Sequence, residues 1–211
     1  TSRTGEAQSL TARDGYVYAG VWASSEVVTI DIRDPWNPNI TSRAPLDGFG
    51  DGVAIDGNYL YAATGHHSKE QPRKIPGDPG FGKGHGLEVF DLSDPAHPDW
   101  VSRIKFPPLY EIGNDTWRVT VNQGYAFAAD TYNGLFVLDV SDPANLRFVG
   151  SHQLPQGDGE KPFGFVGGLA LTKGHVLMAG GDTDLHIVAT ELAQPLAPAP
   201  SSPPEIGEAP N

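Results

Sequence analysis

The chain has 211 residues, 38% of them hydrophobic, with 14 Lys and Arg against 26 Asp and Glu for a formal charge of -12. That balance argues against nucleic acid or an anionic membrane surface as partner, because both reward basic patches. There is no Cys, so disulfides and thiolate metal sites are excluded, and no stretch approaches the roughly 20 apolar residues of a membrane-crossing helix.

The chain opens on Thr1 rather than Met, and the expectation is that an upstream segment, a signal peptide or a larger piece of the protein, has been removed. Thr1-Ser2-Arg3 matches Thr41-Ser42-Arg43 and Val101-Ser102-Arg103 further on, so the chain is expected to begin inside an outer strand. A first unit, about residues 4–48, contains the phrase Gly15-Tyr16-Val17-Tyr18-Ala19 followed by Val28-Thr29-Ile30-Asp31-Ile32-Arg33-Asp34-Pro35. Both phrases return in a second unit, about 49–111, as Asn58-Tyr59-Leu60-Tyr61-Ala62 and Glu88-Val89-Phe90-Asp91-Leu92-Ser93-Asp94-Pro95. A third unit, about 112–162, repeats them as Gly124-Tyr125-Ala126-Phe127-Ala128 and Phe136-Val137-Leu138-Asp139-Val140-Ser141-Asp142-Pro143. The fourth unit, about 163–192, opens on Gly174-His175-Val176-Leu177-Met178-Ala179 and keeps a strand at Leu185-His186-Ile187-Val188-Ala189-Thr190, without the Asp-Pro turn or a strand after it. Residues 193–211, rich in Pro, Ala and Ser, suit an extended, flexible tail.

Within a unit the spacing predicts strands. Val53-Ala54-Ile55 ends at Asp56-Gly57 and returns as Tyr59-Leu60-Tyr61-Ala62-Ala63, which makes a hairpin. The alternating segment 87–92 runs into Ser93-Asp94-Pro95, where Asp caps its own backbone and Pro fixes φ, and Trp100-Val101-Ser102-Arg103-Ile104 supplies a fourth strand. No 3.6-residue apolar stripe is sustained, so almost no helix is expected. Recurring four-stranded antiparallel units predict an all-β chain, a β-propeller of about four blades here, expected to be part of a larger ring.

The repeated phrases at 28–35, 88–95 and 136–143 resemble the LVIVD repeat, a family of extracellular or surface-associated bacterial and archaeal propeller repeats. The resemblance spans about residues 7–192. It implies the propeller fold and an extracellular or cell-surface location, and it carries no shared catalytic residue. The array ends one strand short. Either Thr1-Ser2-Arg3 pairs with 185–190 and closes a four-bladed ring, or the remaining blades sit on another polypeptide, which is the partner expected here.

Candidate sites fall on the face where the connections between second and third strands emerge. Three of these are short, at 21–26, 130–134 and 181–184, whereas 65–86 is a long insertion, of a length that is usually functional or disordered. It carries His66, His67, Lys69, Arg73, Lys74, Lys83 and His85 on an otherwise acidic chain, an expected interface loop that docks against an acidic neighbour or against the rest of this face. His66, His67 and His85 are also conceivable imidazole ligands for a transition metal, and Asp182, Asp184, Asp130 and Asn133 conceivable oxygen ligands for calcium. Neither set has the spacing of a dedicated site, so no cofactor is expected. Aligning the units puts Gln8, Asp51, Trp117 and Gly167 at the head of the innermost strands, followed by Ser9, Gly52, Arg118 and Gly168. One carboxylate in that ring does not provide the acid pair of glycoside hydrolysis. Asp51, Trp117, Arg118 and Tyr132 are the candidate ligand-binding residues, since an aromatic face beside a guanidinium recognises sugars, carboxylates or peptide groups. The bland alternative is that Trp117 packs between blades and Arg118 pairs with an acid. No nucleophile elbow or phosphate loop occurs, and Thr1 as an N-terminal nucleophile is disfavoured by its strand-like neighbours. The leading expectation is a non-catalytic extracellular interaction module. The alternatives are a metal-dependent enzyme using loop 65–86 and a carbohydrate- or peptide-binding propeller.

Overall fold

The computed structural model describes residues 6–65, 84–106, 116–156 and 164–192. Its strands form four antiparallel sheets in chain order. Sheet 1 holds β1 (Ala7–Arg13), β2 (Tyr16–Val21), β3 (Glu26–Asp31) and β4 (Asn39–Pro45), and sheet 2 holds β5 (Gly50–Asp56), β6 (Tyr59–Thr64), β7 (Gly86–Asp91) and β8 (Asp99–Lys105). Sheet 3 holds β9 (Arg118–Asn122), β10 (Tyr125–Ala129), β11 (Leu135–Asp139) and β12 (Arg147–His152). Sheet 4 has three strands among the described residues, β13 (Gly168–Thr172), β14 (His175–Ala179) and β15 (Leu185–Ala189), and the one helical element described is a single 3-10 turn at Gly181–Thr183.

The repeated phrases explain themselves as local structure. Arg13 pairs with Tyr16 across Asp14-Gly15, whose φ values of 52° and 81° are those of the two-residue turn that matches strand twist. The Asp-Pro segments are three copies of one hydrogen-bonded turn. Asp34 Oδ1 accepts from Trp36 N at 3.1 Å, and its backbone oxygen accepts from Asn37 N. Asp94 accepts likewise from Ala96 N and Asp142 from Ala144 N, both at 3.0 Å. The Asp three residues earlier works the same way: Asp31, Asp91 and Asp139 accept from the backbone nitrogens of Arg33, Ser93 and Ser141. The carboxylates of the motif are therefore engaged as turn caps. The fourth unit lacks that turn, yet Thr190 N still donates to Gly174 O at 2.8 Å, the bond that Ile32, Leu92 and Val140 make to Gly15, Asn58 and Gly124.

Each outer strand carries an irregularity at the same place. The register slips between Thr29 and Ile30, between Val89 and Phe90, and between Val137 and Leu138, which leaves Thr41, Val101 and Val149 as bulged residues.

Middle strands of sheets 2 and 3 are apolar on both faces because each of these sheets is covered on both sides by its neighbours. Tyr16, Tyr18 and Val27 of sheet 1 meet Val53, Leu60, Ala62 and Phe90 of sheet 2. The other face of sheet 2, with Tyr61, Ala63, Leu87 and Val89, meets Val119, Ala126, Ala128 and Leu138 of sheet 3. Phe127, Ala129 and Leu135 of sheet 3 meet Leu171, Val176 and Met178 of sheet 4. The inner strands β1, β5, β9 and β13 lie side by side in that order, whereas sheets 4 and 1 do not pack on one another as neighbours do. The described sheets form an arc with two open end faces.

Candidate functional site

Strand pairing confirms the alignment of the inner strands: Gln8 and Asp51 lie one residue into β1 and β5, and Trp117 and Gly167 immediately precede β9 and β13. At Gly52 the backbones of β5 and β9 approach closely, since a Cβ there would lie 2.7 Å from Val119 N and 2.8 Å from the Cα of Arg118. Gly52 N donates to Thr116 O, and Ser9 Oγ accepts from Val53 N at 3.3 Å. A cleft of about 520 Å³ opens along these strands, lined by Gln8, Ser9, Leu10, Val53 and Arg118 among others.

Arg118 spans this cleft. Its Nη1 lies 3.4 Å from both Gln8 O and Trp117 O, and it pairs with no carboxylate among the described residues. Asp51 is buried and engaged within the protein, so its carboxylate is not presented to the cleft. Trp117 is anchored through N–H donation to Ala129 O at 3.0 Å while its ring stays 45% exposed. Phe165, which sequence reasoning missed, joins the other two aromatics into a row: its ring lies 5.0 Å from Trp117 and 5.3 Å from Tyr132, edge to face in both cases. The available signal was its position two residues before Gly167, the matching head of the fourth inner strand. Trp117, Arg118 and Tyr132 are thus near one another, with Asp51 withdrawn. The aromatic row can hold a planar group and the Arg118 guanidinium an anionic one, and among the described residues the cleft is not lined by an acid and base pair for proton transfer.

Of the loop residues, His66, His67, Lys69, Arg73, Lys74 and Lys83 lie outside the described residues, as do Thr1-Ser2-Arg3 and the tail at 193–211. His85 is described, and it is buried rather than presented on a loop surface. Its Nε2 lies 2.7 Å from Asp130 Oδ1, which also accepts from Thr116 Oγ1 at 2.7 Å, while Asp130 Oδ2 accepts from Asn133 Nδ2 at 2.5 Å. The imidazole stands edge-on to Phe106, with Phe136 on another side. Burial pushes the Asp130 carboxyl up, but the His85 charge and the bonds from His85, Asn133 and Thr116 outweigh it and hold the group below its ordinary value. A calcium ion at Asp130 would therefore have to displace partners already in place. Asp184 sits at φ 64° at the end of the 3-10 turn.

A second feature that sequence reasoning missed lies between outer strands β4 and β8. Glu88 is buried where the first and third units carry Val28 and Phe136 and the fourth carries His186. It accepts from Asp47 N at 2.7 Å and from Trp100 Nε1 at 2.9 Å, on the wall of a groove of about 510 Å³ that also holds Arg43 and Arg103. Asp47 in turn pairs with Arg103 at 3.0 Å. Both Glu88 oxygens are engaged, so this cluster ties sheet 1 to sheet 2.

The LVIVD repeat family matches at residues 4–44, 47–67 and 113–153. The chain carries LVIVD repeats. No curated protein matches it in sequence. Among solved structures, the LVIVD chain is similar to the periplasmic gluconolactonase PpgL of Pseudomonas aeruginosa, at 14% identity and TM-score 0.65, over 88% of this chain and 50% of that one. It is also similar to the Cps50 (Swd1) β-propeller domain of Myceliophteria thermophila, at 11% identity and TM-score 0.57, over 87% of this chain and 51% of that one. The computationally designed Ika4 protein matches at 10% identity and TM-score 0.57, over 90% of this chain and 94% of that one. These likenesses establish the β-propeller fold alone. The LVIVD chain spans about half the length of the first two and nearly all of the designed protein.

Proposed function

We propose that this LVIVD chain is a non-catalytic assembly module whose end faces receive further propeller blades carried on another polypeptide, outside the cell or at its surface as the repeat family implies. The comparison of equivalent positions carries this reading. Leu10 of sheet 1 stands where Val53 and Val119 stand in sheets 2 and 3, and it is 64% exposed while each of those is 6% exposed. At the other end Leu185 stands where Val27, Leu87 and Leu135 stand, and it is 60% exposed against 0%, 0% and 2%. Ile187 beside it is equally open. Side chains of core type at core positions, open only at the two ends of the array, are half-interfaces, and exposed apolar faces of this kind mark association sites.

The test places a photoreactive phenylalanine analogue at residue 10, at residue 185, and at the exposed Asp99 as control, in the cells from which the protein comes. Capture at 10 and 185, but not at 99, of a polypeptide that itself carries propeller blades supports the reading. No capture at either end face, or equal capture at all three positions, overturns it.

A second reading, a ligand site at the inner-strand cleft, is favoured by the Trp117, Phe165 and Tyr132 row and by the neighbouring Arg118, a guanidinium with no acid partner among the described residues. The metal-dependent alternative retains little on described residues, since His85 is committed to Asp130.

A further inference from the structure

Neighbouring sheets are joined by more than apolar packing. The Tyr18 hydroxyl of sheet 1 donates to Pro95 O at 2.9 Å, and Thr41 Oγ1 of the same sheet donates to Ala96 O at 2.9 Å. Both acceptors belong to the Asp94-Pro95 turn of sheet 2. One joint later, Ser102 Oγ of sheet 2 donates to Pro143 O in the Asp142-Pro143 turn of sheet 3. In each case a hydroxyl on one blade meets the carbonyl edge of the next blade's Asp-Pro turn.

At the third joint both halves are missing together. Sheet 3 has Phe127 where Tyr18 stands, and Val149 and Gly150 where Thr41 and Ser42 stand, so it offers no hydroxyl at these positions. Sheet 4 has no Asp-Pro turn to receive one. At the open end the acceptor half is retained: Asp34-Pro35-Trp36 is built like the other two turns, and the carbonyls of Pro35 and Trp36 accept no hydrogen bond among the described residues. Trp36 stands where Ala96 and Ala144 stand. Ala96 packs into the joint between sheets 1 and 2, and Trp36 is a large exposed apolar side chain beside the open face.

We infer that the blade covering sheet 1 presents a hydroxyl-bearing outer strand, Ser or Thr at the position of Thr41 or Ser42 and Tyr at that of Tyr18, which donates to the carbonyls of Pro35 and Trp36. The inference rests on the reading that sheet 1 receives a further blade, and it specifies the chemistry of that blade. Continuity with the two internal joints carries it. A second copy of this chain does not fit, because its free end, sheet 4, has Leu177 at the Tyr18 position and no described strand beyond β15. Leaving a docked carbonyl without its donor costs more than never forming the bond, so the hydroxyl discriminates between covering blades.

The absence of Cys allows a clean test. In the full chain, Leu10→Cys is the sole thiol, and its maleimide labelling rate reports whether the sheet 1 face is covered. An N-terminal extension made of a second copy of residues 6–48 supplies a blade with Tyr18 and Thr41. Labelling is expected to slow at least tenfold, and to recover by about tenfold when Tyr18→Phe and Thr41→Val are made in the added copy alone. Equal slowing by both copies overturns the hydroxyl lock and leaves the open-face reading standing. Slowing by neither copy overturns both. Labelling of the unextended chain that falls with protein concentration assigns the face to a second copy and also overturns the inference. A measurement independent of the extension is the melting temperature of Ser102→Ala and of Tyr18→Phe with Thr41→Val in the original chain. Both are expected to melt lower, and unchanged melting in both shows that these bonds do not hold blade to blade.

Discussion

His85 Nε2 and Asp130 Oδ1 lie 2.7 Å apart with both side chains buried, in a seam where sheet 2 meets sheet 3. His85 immediately precedes β7 and Asp130 immediately follows β10, so the bond clamps the ends of strands from two blades. Asp130→Ala strips partners from His85, Thr116 and Asn133 at once and is expected to cost about 3–5 kcal/mol. Asn133→Ala, which removes one donor, is expected to cost about 1 kcal/mol. Urea midpoints of the two variants at neutral pH check both values, and equal losses would show that Asp130 is not the hub.

The turn carboxylates contribute to the acid response. A hydrogen bond from Arg33 lowers Asp31 to about 2 from an ordinary 3.8, and bonds from His97 and Asn145 lower Asp94 and Asp142. Because the folded pKa lies below the unfolded one, the unfolded chain binds more protons in the interval. The contribution of Asp31 is therefore present above about pH 4 and lost as the pH falls towards 2. Asp31→Asn removes this titration, so the gap in urea midpoint between parent and variant is expected to be constant above pH 5 and to narrow steadily below pH 4. A gap that does not change with pH refutes the assignment.

Equivalent apolar residues are expected to differ in cost according to their place in the array. Leu60→Ala, in the joint between sheets 1 and 2, is expected to lose about 2–5 kcal/mol. Leu10→Ala on the open face of the isolated chain is expected to fall within about 0.5 kcal/mol of the parent. Equilibrium unfolding decides, and a large loss at Leu10 would mean that its face is covered in solution.

The repeat made most of the fold legible. The doubled phrase in each unit marks β2 and β3, β6 and β7, and β10 and β11, and the hairpin at Asp56-Gly57 and the strand around Trp100 stand where the residue pattern puts them. The bulges at Thr41, Val101 and Val149 left no sequence mark, because a slip of register depends on how the outer strand meets its partner and not on which residue occupies the position. The alignment of the inner strands located Trp117 and Arg118. It did not locate Phe165, whose place beside Trp117 depends on where the chain crosses between sheets. The burial of Asp51 was not legible for a reason of the same kind: period-two spacing says which face a residue takes, and depth within the joint decides how far a carboxylate is withdrawn from the cleft. Glu88 was hidden inside the best-matching phrase, where only its departure from Val28 and Phe136 signals a buried acid.

Gly52→Ala is expected to destabilise by about 1–3 kcal/mol, since the added carbon meets backbone of β9 that cannot yield without separating the inner strands. A melting curve unaltered by the change would show that β5 and β9 are farther apart in solution.

For the cleft, glucuronate is a suitable probe because it combines a sugar ring with a carboxylate. If the cleft binds such groups, titration changes the tryptophan fluorescence of the chain, Arg118→Ala weakens the response more than tenfold, and Trp117→Ala abolishes most of it. A titration curve unaffected by Trp117→Ala dismisses that pocket.

The shared slip in the outer strands has a consequence for how such a molecule grows. A bulge at Thr41, Val101 and Val149 twists and interrupts the hydrogen-bonding rim of each sheet, which makes it a poor template for a stray strand from a neighbour. With edge pairing blunted in three sheets, the further blade of the proposed assembly would add by stacking face upon face, where it would have to satisfy both shape and hydroxyl placement. On that reading, fibre-like edge pairing would give way to a finite, countable circle.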